Sequence, residues 1–403
     1  MMLFDIQFGQ RLLRSVAFLL KFICLFLPTT TLDASEKIVQ LNVVFLMQEP
    51  EVSPALSNLD PVIRREGVFG ARLGVEDNNT TGRFTRQEFL LTEIILSQSD
   101  DIIAEFRKQI KQNNTLFVVN LSASGLSEIA ALPESKGTLL FDISTRSDAL
   151  RNQFCHKNTL HMLPSRAMRS DALAQYMLKR SWRKWLLIIG PDEQDRHYAT
   201  AIKRSAKRFG MKIVAEKSWT STHDSRRTAQ SEVPVLTQEE DYDVVVVADE
   251  KGLFGEYLAY RTWWPRPVIG TQGLVALAWH RTHEQWGAVQ LQNRFMDISG
   301  RPMGERDYAA WLALRAIGES ATRTGSADSS LIGSYILSDA FAVAGFKGKK
   351  LSFRKWNGQL RQPVLLAAPR SMVAVAPLEG FLHPIDELDS LGFDASEIAC
   401  ESN

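Results

Sequence analysis

One short apolar run constrains the fold of this chain more than any other feature. Residues 43–46 (Val-Val-Phe-Leu) are uninterrupted by polar side chains, yet the run is far too short to cross a bilayer. Such a run is typical of a strand buried on both faces, as in a parallel sheet covered by helices. We therefore predict a central strand within the stretch from Ile38 to Arg83.

A short helix is predicted to follow this strand after a polar loop. Its apolar face is formed by Val68, Ala71, Leu73 and Val75. Gly70 and Ala71 are small enough to let the helix lie close to the sheet, and segment 78–82 (Asn-Asn-Thr-Thr-Gly) favours turns and predicts its end. Strand, loop and helix in this order open a doubly wound α/β domain. We therefore expect the loop from Gln48 to Asp60, with Glu49, to border a ligand site.

The first 34 residues have the pattern of a cleaved secretory signal peptide. Basic residues precede a mostly apolar segment (16–28), and Ala34 is a small residue suited to the cleavage site. The alternative is an uncleaved membrane anchor. Lys21 argues against it, because a span needs ~18 uninterrupted apolar residues. We expect export to the periplasm.

Length and net charge limit the number of domains and the kinds of partner that fit this sequence. The chain has 403 residues, which predicts two domains at ~150 residues each. Removal of residues 1–34 leaves 47 − 3 = 44 basic and 46 − 2 = 44 acidic residues. A neutral mature chain argues against a nucleic-acid partner, which requires a basic surface.

Two cysteines, Cys155 and Cys400, lie in the predicted mature chain. In an oxidising compartment such a pair is a disulfide candidate, and two unlinked thiols are the alternative. A bridge would tie the C-terminal tail to the middle of the chain.

Strands and helices alternate twice along the sequence, which predicts two parallel sheets. The first set has strands at Leu116–Val119 and Thr138–Phe141 and helices at Asp101–Lys111, Leu126–Leu132 and Asp148–Phe154. The second set has strands at Leu160–Leu163, Trp185–Ile189, Lys212–Glu216, Val244–Ala248 and Pro267–Gly270, and helices at Ala167–Lys179, Tyr198–Phe209 and Leu253–Tyr260. Helices at Tyr308–Thr322 and Ser330–Ser338 and a hairpin over Leu351–Ala367, turning at Asn357-Gly358, complete the prediction.

Several catalytic and cofactor motifs are absent from the sequence. No Gly-x-Gly-x-x-Gly follows the first strand, no phosphate loop is present and no Gly-x-Ser-x-Gly occurs. His280 and His283 have the spacing of two metal ligands on one helix face. No third ligand follows at a convincing spacing, so we interpret them as a solvated helix face.

Polar residues at predicted strand ends are the remaining site candidates. Ser122 and Ser124 precede a helix, where they suit either an anionic ligand or a simple N-cap. The next strand is followed by Ser144, Thr145 and Arg146, and later ones by Asp249, Glu250 and Gln272. Arg146 can hold a carboxylate with its planar fork, or it is an ordinary surface arginine. The acids and Gln272 can face a cleft or cap helices.

Six segments together resemble a known family. They are LSNLDP (56–61), DNNTTGRF (77–84), LHMLPSRAM (160–168), GRPMGERDYAAW (300–311), FKGKKLSFRKWNGQLRQP (346–363) and EGFLHPIDELDSLG (379–392). The chain resembles type I periplasmic solute-binding proteins of the branched-chain amino-acid kind, which serve ABC transporters. Within these it is most similar to the group encoded beside PQQ-dependent alcohol dehydrogenases.

The resemblance implies two Rossmann-like lobes joined by three crossing segments, with the ligand held in the closing cleft. It divides the chain into a signal peptide (1–34), lobe 1 (35–160 and 293–347) and lobe 2 (161–292 and 348–403). It further implies a small-molecule ligand, the membrane subunits of an ABC transporter as partners, a monomer, no cofactor and no enzymatic activity.

The resemblance also assigns positions in the cleft. The family holds a ligand carboxylate with a serine near Ser122 or Ser124 and with the loop at Ser144 and Thr145. A threonine of that loop corresponds to Arg146 here, and the family's tyrosines correspond to Asp195 and Asp249. The acid that binds the ligand ammonium corresponds to Gln272. These differences argue against an amino acid and favour a neutral or acidic small molecule, such as a metabolite of an alcohol.

Three functions remain open at this point. The first is a periplasmic binding protein for uptake, the second a sensor that reports a ligand to a membrane regulator, and the third an α/β enzyme. No nucleophile and base at a suitable spacing support the enzyme.

Overall fold

The computed structural model describes residues 38–50, 62–220 and 229–400, with side chains from residue 231 in the last range. The predicted signal peptide, residues 51–60 of the predicted ligand loop and the segment 56–61 lie outside the described residues. No helix within these ranges combines the length and apolar character that crossing a membrane requires.

The first sheet contains five parallel strands in the order β2-β1-β3-β4-β5. The strands are β1 (Val39–Gln48), β2 (Gln87–Leu96), β3 (Leu116–Asn120), β4 (Leu139–Asp142) and β5 (Thr159–His161). The helices that follow them are α1 (Val68–Thr85), α2 (Ile102–Lys111), α3 (Ala123–Ala130) and α4 (Ala149–Asn152). In β1, Val43 and Phe45 belong to one core cluster and Val44 and Leu46 to another. The predicted strand with two buried faces is therefore confirmed.

Helix α1 is longer than predicted and runs through segment 78–82 instead of ending there. The reason is a long-range contact: the buried Asn78 side-chain amide donates to the Leu314 carbonyl at 2.7 Å. The asparagine therefore joins α1 to helix α9 (Glu305–Thr324) rather than forming a turn. The helix ends at Arg86, which has left-handed backbone with φ 56°.

Gly70 packs against another helix. We had expected it to let α1 lie close to the sheet. A Cβ atom at Gly70 would lie 1.9 Å from the carbonyl oxygen of Asp307, in α9. The small residue therefore lets α1 and α9 come into backbone contact. Strand β2, whose sequence alternates only weakly, was not predicted.

The second sheet contains seven strands in the order β15-β14-β10-β9-β8-β6-β7. The strands are β6 (Lys184–Ile189), β7 (Lys212–Ser218), β8 (Val244–Ala248), β9 (Val268–Gly270), β10 (Leu274–Leu277), β14 (Val364–Ala368) and β15 (Ser371–Ala376). The first five are parallel, whereas β14 and β15 are antiparallel, so the predicted all-parallel sheet is wrong at this edge. Helices α5 (Arg166–Lys179), α6 (Glu193–Arg208) and α7 (Ala229–Leu236) accompany this sheet.

The predicted hairpin is much shorter than expected. Strand β12 (Lys350–Phe353) pairs with β13 (Leu360–Arg361), and β12 also pairs with β11 (Val343–Ala344). Pro363 has no N–H to donate to the ladder, and the chain then enters β14 in the second sheet. Gly358 has φ 65°, as expected, but Asn357 lacks a positive φ and the connection spans residues 354–359, so the two-residue turn expected at Asn357-Gly358 is wrong.

A helix predicted at Leu253–Tyr260 is reduced to one 3-10 turn, Gly255–Tyr257. The Asp249 carboxylate accepts hydrogen bonds from the N–H groups of Leu253, Phe254 and Gly255. These bonds fix a tight loop directly after β8.

Helices α8 (Ala288–Ser299), α9 and α10 (Ser329–Ile336) return to the first sheet. Ala288 and Leu291 belong to the same core cluster as Phe45 of β1. The lobe boundaries stated above remain a prediction. Segment 162–165 leads from β5 to α5, segment 278–287 leads from β10 to α8, and segment 362–363 leads from β13, in a small sheet with β11 and β12, to β14 of the second sheet.

A buried lysine connects these three crossing segments. Lys347 Nζ donates to Gln362 Oε1 at 2.6 Å and to the Pro363 carbonyl at 3.1 Å. Gln362 in turn donates to the Met162 carbonyl at 2.6 Å. The ammonium also lies 4.7 Å from the centroid of the Tyr308 ring, on which Trp279 stacks at 4.4 Å. Lys347 thus contacts one of these connections directly and the other two through Gln362 and Tyr308.

The C-terminal tail crosses from the second lobe to the first. Gly392 donates its N–H to Asp171 of α5 and accepts from Arg204 and Arg208 of α6. A disulfide joins Cys155 and Cys400, whose Cα atoms lie 5.6 Å apart. The tail is therefore held at both lobes.

Removal of this bridge tests the covalent connection. We expect Cys400→Ser to lower the free energy of unfolding by about 2–4 kcal/mol, because the bridge restrains the unfolded chain. Urea denaturation of the full chain with and without reductant measures this difference. Reductant should destabilise the wild type and leave the variant unchanged; equal midpoints for the wild type under both conditions would contradict the bridge.

The buried lysine predicts a pH dependence. Burial lowers the pKa of Lys347 to about 7, whereas Glu305 opposes this shift. Below the folded pKa the lysine is charged in both states and the full burial penalty applies. As the pH rises above this value, Lys347 loses its proton in the folded protein but keeps it in the unfolded chain. The free energy of unfolding therefore rises by up to about 1.4 kcal/mol per pH unit. Urea denaturation between pH 7 and 9 should show this slope in the wild type and a smaller one in Lys347→Met; parallel curves would refute it.

Candidate functional site

The carboxyl ends of both sheets bring a set of polar loops together. Arg166, at the start of α5, donates its N–H to the Arg146 carbonyl at 3.0 Å. Ala278, directly after β10, donates its N–H to Glu305 of α9 at 2.6 Å. We call the loops after β3, β4, β8 and β9, the starts of α5, α6 and α9, and Glu66 just before α1 the interlobe site.

Ser122 and Ser124 lie where β3 leads into α3. Ser122 is the N-cap of α3, and its Oγ accepts from the Gly125 N–H at 3.1 Å. The two hydroxyls lie 3.0 Å apart. The capping interpretation therefore holds for Ser122, and its O–H remains able to donate. Ligand binding by the two serines remains a prediction.

Ser144 and Thr145 direct their hydroxyls into the first lobe. Ser144 Oγ donates to the Leu121 carbonyl at 2.7 Å, and Thr145 Oγ1 donates to the Asp142 carboxylate. His161 Nδ1 lies 2.8 Å from Asp142. These buried bonds hold the loop after β4 in place, and a ligand role for the two hydroxyls remains a prediction.

At neutral pH Asp142 is ionised and His161 is neutral, because the pKa values of both groups are lowered. Burial raises the pKa of Asp142, but the His161 hydrogen bond and the charges of His161 and Arg151 outweigh it and bring it to about 2. Burial and the Arg151 guanidinium lower the pKa of His161 to about 4. At neutral pH a carboxylate therefore accepts a hydrogen bond from a neutral imidazole.

Arg146 is not a free surface arginine. Its Nη2 donates to Glu305 Oε2 at 2.8 Å, and Arg169 of α5 lies 3.8 Å from the same oxygen. Its Nε atom is buried and has no hydrogen-bond partner among the described residues. Glu305 thus neutralises guanidinium groups from both lobes.

Glu250 is paired within the second lobe. Arg166 Nε donates to Glu250 Oε1 at 3.1 Å, and Arg166 Nη2 contacts the other carboxylate oxygen. Only 7% of the Arg166 side chain and 12% of the Glu250 side chain are exposed, so this bidentate pair is shielded from solvent.

Asp195 and Asp249 accept hydrogen bonds from main-chain groups. Asp195 belongs to the capping box of α6 and accepts from the N–H groups of Asp192 and Glu250. Burial raises the pKa of Asp195 to about 6. Asp249 holds the loop after β8, as described above. Asp195 therefore takes part in capping α6, Asp249 fixes a loop without capping a helix, and a ligand role for the two acids remains a prediction.

Gln272 also bonds within its own lobe. Its Nε2 donates to the Asp249 carbonyl at 3.0 Å, and its Oε1 accepts from Thr271. Gly255 leaves room for this side chain, because a Cβ there would lie 2.2 Å from Gln272 Oε1. Glu49 is more exposed and pairs with Arg65 at 2.9 Å.

The sequence analysis missed four charged residues of the interlobe site: Glu66, Arg169, Glu305 and Arg306. Glu66 accepts from the Arg306 N–H at 3.2 Å, and burial raises its pKa. Glu305 and Arg306 lie within a segment that carried the resemblance, and that was their only signal. Their partners are far away in sequence, so periodicity could not identify them.

The histidine pair does not form a metal site. His280 Nδ1 lies 2.7 Å from Thr282 Oγ1, and His283 Nε2 lies 2.8 Å from the Phe346 carbonyl. The segment is a series of turns, so the predicted solvated helix face is wrong. No group of three or more potential metal ligands occurs in the part of the chain that the structure describes.

Known proteins resemble this chain in fold, whereas the sequence comparisons find no match. No protein-family profile and no curated protein sequence matches the chain. A periplasmic binding protein from Burkholderia mallei matches with a TM-score of 0.67 at 14% identity, over 90% of this chain and 98% of that one. A leucine-, isoleucine-, valine-, threonine- and alanine-binding protein from Brucella ovis, in its closed conformation, gives a TM-score of 0.64 at 14% identity, over 89% and 96%.

A third similar structure is a solute-binding protein of an ABC transporter from R. palustris in complex with benzoate. Its TM-score is 0.61 at 11% identity, over 84% of this chain and 96% of that one. At sequence identities of 11–14%, the similarity shows that the folds are alike and nothing more. The chain is an α/β protein with two lobes, and it has the fold of type I periplasmic binding proteins.

The shielded pair of Arg166 and Glu250 gives a testable contribution to stability. Glu250→Gln should lower the free energy of unfolding by about 3 kcal/mol, because it leaves a buried guanidinium without its counter-ion. Adding Arg166→Met should recover part of this loss. A double-mutant cycle by urea denaturation measures the coupling.

The exposed pair of Arg107 and Glu134, 3.2 Å apart, is the control for this cycle. Its coupling should be below about 1 kcal/mol. Strict additivity of the Arg166 and Glu250 effects would show that the two side chains do not act as a pair.

Proposed function

We propose that this protein is a periplasmic substrate-binding protein that captures a small solute between its lobes and delivers it to an ABC transporter. The observation that carries this proposal is the convergence of loops from two sheets at one interlobe site. Each lobe presents polar groups there, and the lobes are joined by three short crossing segments. A ligand that contacts both lobes favours the closed arrangement.

The buried state of the hydroxyl groups argues against an enzyme. Ser144, Asp142 and His161 are the types of residue that nucleophilic catalysis uses. Ser144 Oγ, however, donates to the Leu121 carbonyl and lies 3.2 Å from Asp142, and all three side chains are buried. This arrangement supports a structural role in positioning the loop after β4.

The finer parts of the proposal rest on the sequence. The basic and apolar N-terminal segment supports export to the periplasm. The segments 300–311, 346–363 and 379–392 support a link to PQQ-dependent alcohol oxidation. We propose a neutral or acidic metabolite of an alcohol as the ligand, the membrane subunits of the transporter as partners, and a monomer as the working form.

A sensor is the second candidate, because the same lobe closure can report a ligand to a membrane regulator. Deletion of the gene separates the two functions. If the protein serves uptake, the deletion strain should take up labelled alcohol-oxidation products more slowly while the dehydrogenase is still induced. If it is a sensor, induction should fail while uptake continues.

Complementation controls this experiment. The wild-type gene should restore uptake, and a gene encoding Arg107→Gln should restore it equally, because Arg107 forms an exposed ion pair away from the interlobe site. Unchanged uptake and unchanged induction in the deletion strain would contradict both candidate functions.

A further inference from the structure

We propose that the interlobe site selects an organic anion, a carboxylate without an ammonium group, and that Arg146 binds it directly. This inference rests on the proposed solute capture and narrows its ligand class. It follows from the hydrogen-bond donors and acceptors that the site already uses.

Three side-chain carboxylates of the second lobe at the site already have partners. Asp249 accepts three main-chain N–H groups, and Asp195 accepts two. Glu250 is held by both nitrogens of Arg166 that face it. An ammonium group brings three donors and needs acceptors, and at these carboxylates it would share the remaining lone pairs with donors that are already bound.

Gln272 already uses both ends of its amide. Its carbonyl oxygen accepts from Thr271, and its amide donates to the Asp249 main chain. An amide oxygen also lacks the charge that would compensate the desolvation of an ammonium group. Asp195, Asp249 and Glu250 are therefore each occupied by protein donors that a ligand ammonium group would have to share.

The unused groups at the site are donors. Arg146 Nε and Arg306 Nε are both buried and lack a hydrogen-bond partner among the described residues. Arg146 interacts electrostatically with Glu66, which is also the partner of Arg306, so the two guanidinium groups belong to one neighbourhood. Ser122 and Ser124 add hydroxyls that can turn to donate.

A carboxylate matches this pattern, because it offers acceptors and no donors. Glu305 already shows the chemistry, since its carboxylate accepts from Arg146. A ligand carboxylate that takes the remaining Arg146 donors would form charge-assisted bonds, which are stronger than neutral ones. An alcohol of the same shape carries no charge, so the hydrogen bonds that it accepts from the guanidinium would be weaker.

Isothermal titration calorimetry with three matched sets of probes tests this assignment. The sets are acetate, ethanol and glycine; 4-methylpentanoate, 4-methylpentanol and leucine; and phenylacetate, 2-phenylethanol and phenylglycine. In at least one set the carboxylate should bind at least roughly 10-fold more tightly than its alcohol and its amino acid. Arg146→Gln should weaken that carboxylate roughly 10- to 100-fold, and Arg146→Lys should weaken it less.

Arg107→Gln is the matched control and should leave the affinity unchanged. Thermal melting of each variant checks folding. If both Arg146 variants unfold, the probe series on the wild type decides alone. Tighter binding of an alcohol or amino acid than of its carboxylate would overturn the anion assignment and leave solute capture intact. Binding of none of the nine probes would also overturn it, and the uptake experiment then judges solute capture separately.

Discussion

Parallel pairing of buried strands is the constraint on which the rest of this structure depends. A parallel strand needs a crossover before its neighbour can form, and the crossover returns the chain so that successive strands end at the same edge. In the first sheet this brings the loops after β3 and β4 together, and in the second sheet those after β8 and β9. Because polar groups gather only where strands end, the apolar strands themselves determine where a ligand can be recognised.

Charged groups placed between two lobes must be neutralised without fixing the lobes rigidly. The structure meets this requirement with pairs inside one lobe, such as Arg166 with Glu250, and with one carboxylate, Glu305, that serves arginines of both lobes. Loss of one partner of such a shielded pair is costly, because it leaves a buried charge uncompensated. The same arrangement leaves guanidinium donors available at the interlobe site, so the local electrostatics and the proposed ligand preference have one origin.

The sequence predicted most regular elements and few of the contacts between them. Strand β8 matched the apolar run Val244–Ala248, and α5 was one residue longer than predicted, because burial periodicity is a local property. Asn78 was misread as a helix end, since its partner Leu314 is far away in the chain. Arg146 was identified as a site candidate, but its partner Glu305 was not, and no local pattern predicts a contact across 159 positions.

The disulfide gives the chain an unusual mechanical connectivity. Both partners flank the whole second sheet, whose strands lie between residues 184 and 376, so that sheet sits inside a covalent ring from Cys155 to Cys400. A pulling force applied between residues 38 and 400 would pass through the bridge and extend only 155 − 38 = 117 residues. That corresponds to a contour length on the order of 400 Å. As long as the bridge is intact, tension on the chain ends does not reach the second lobe.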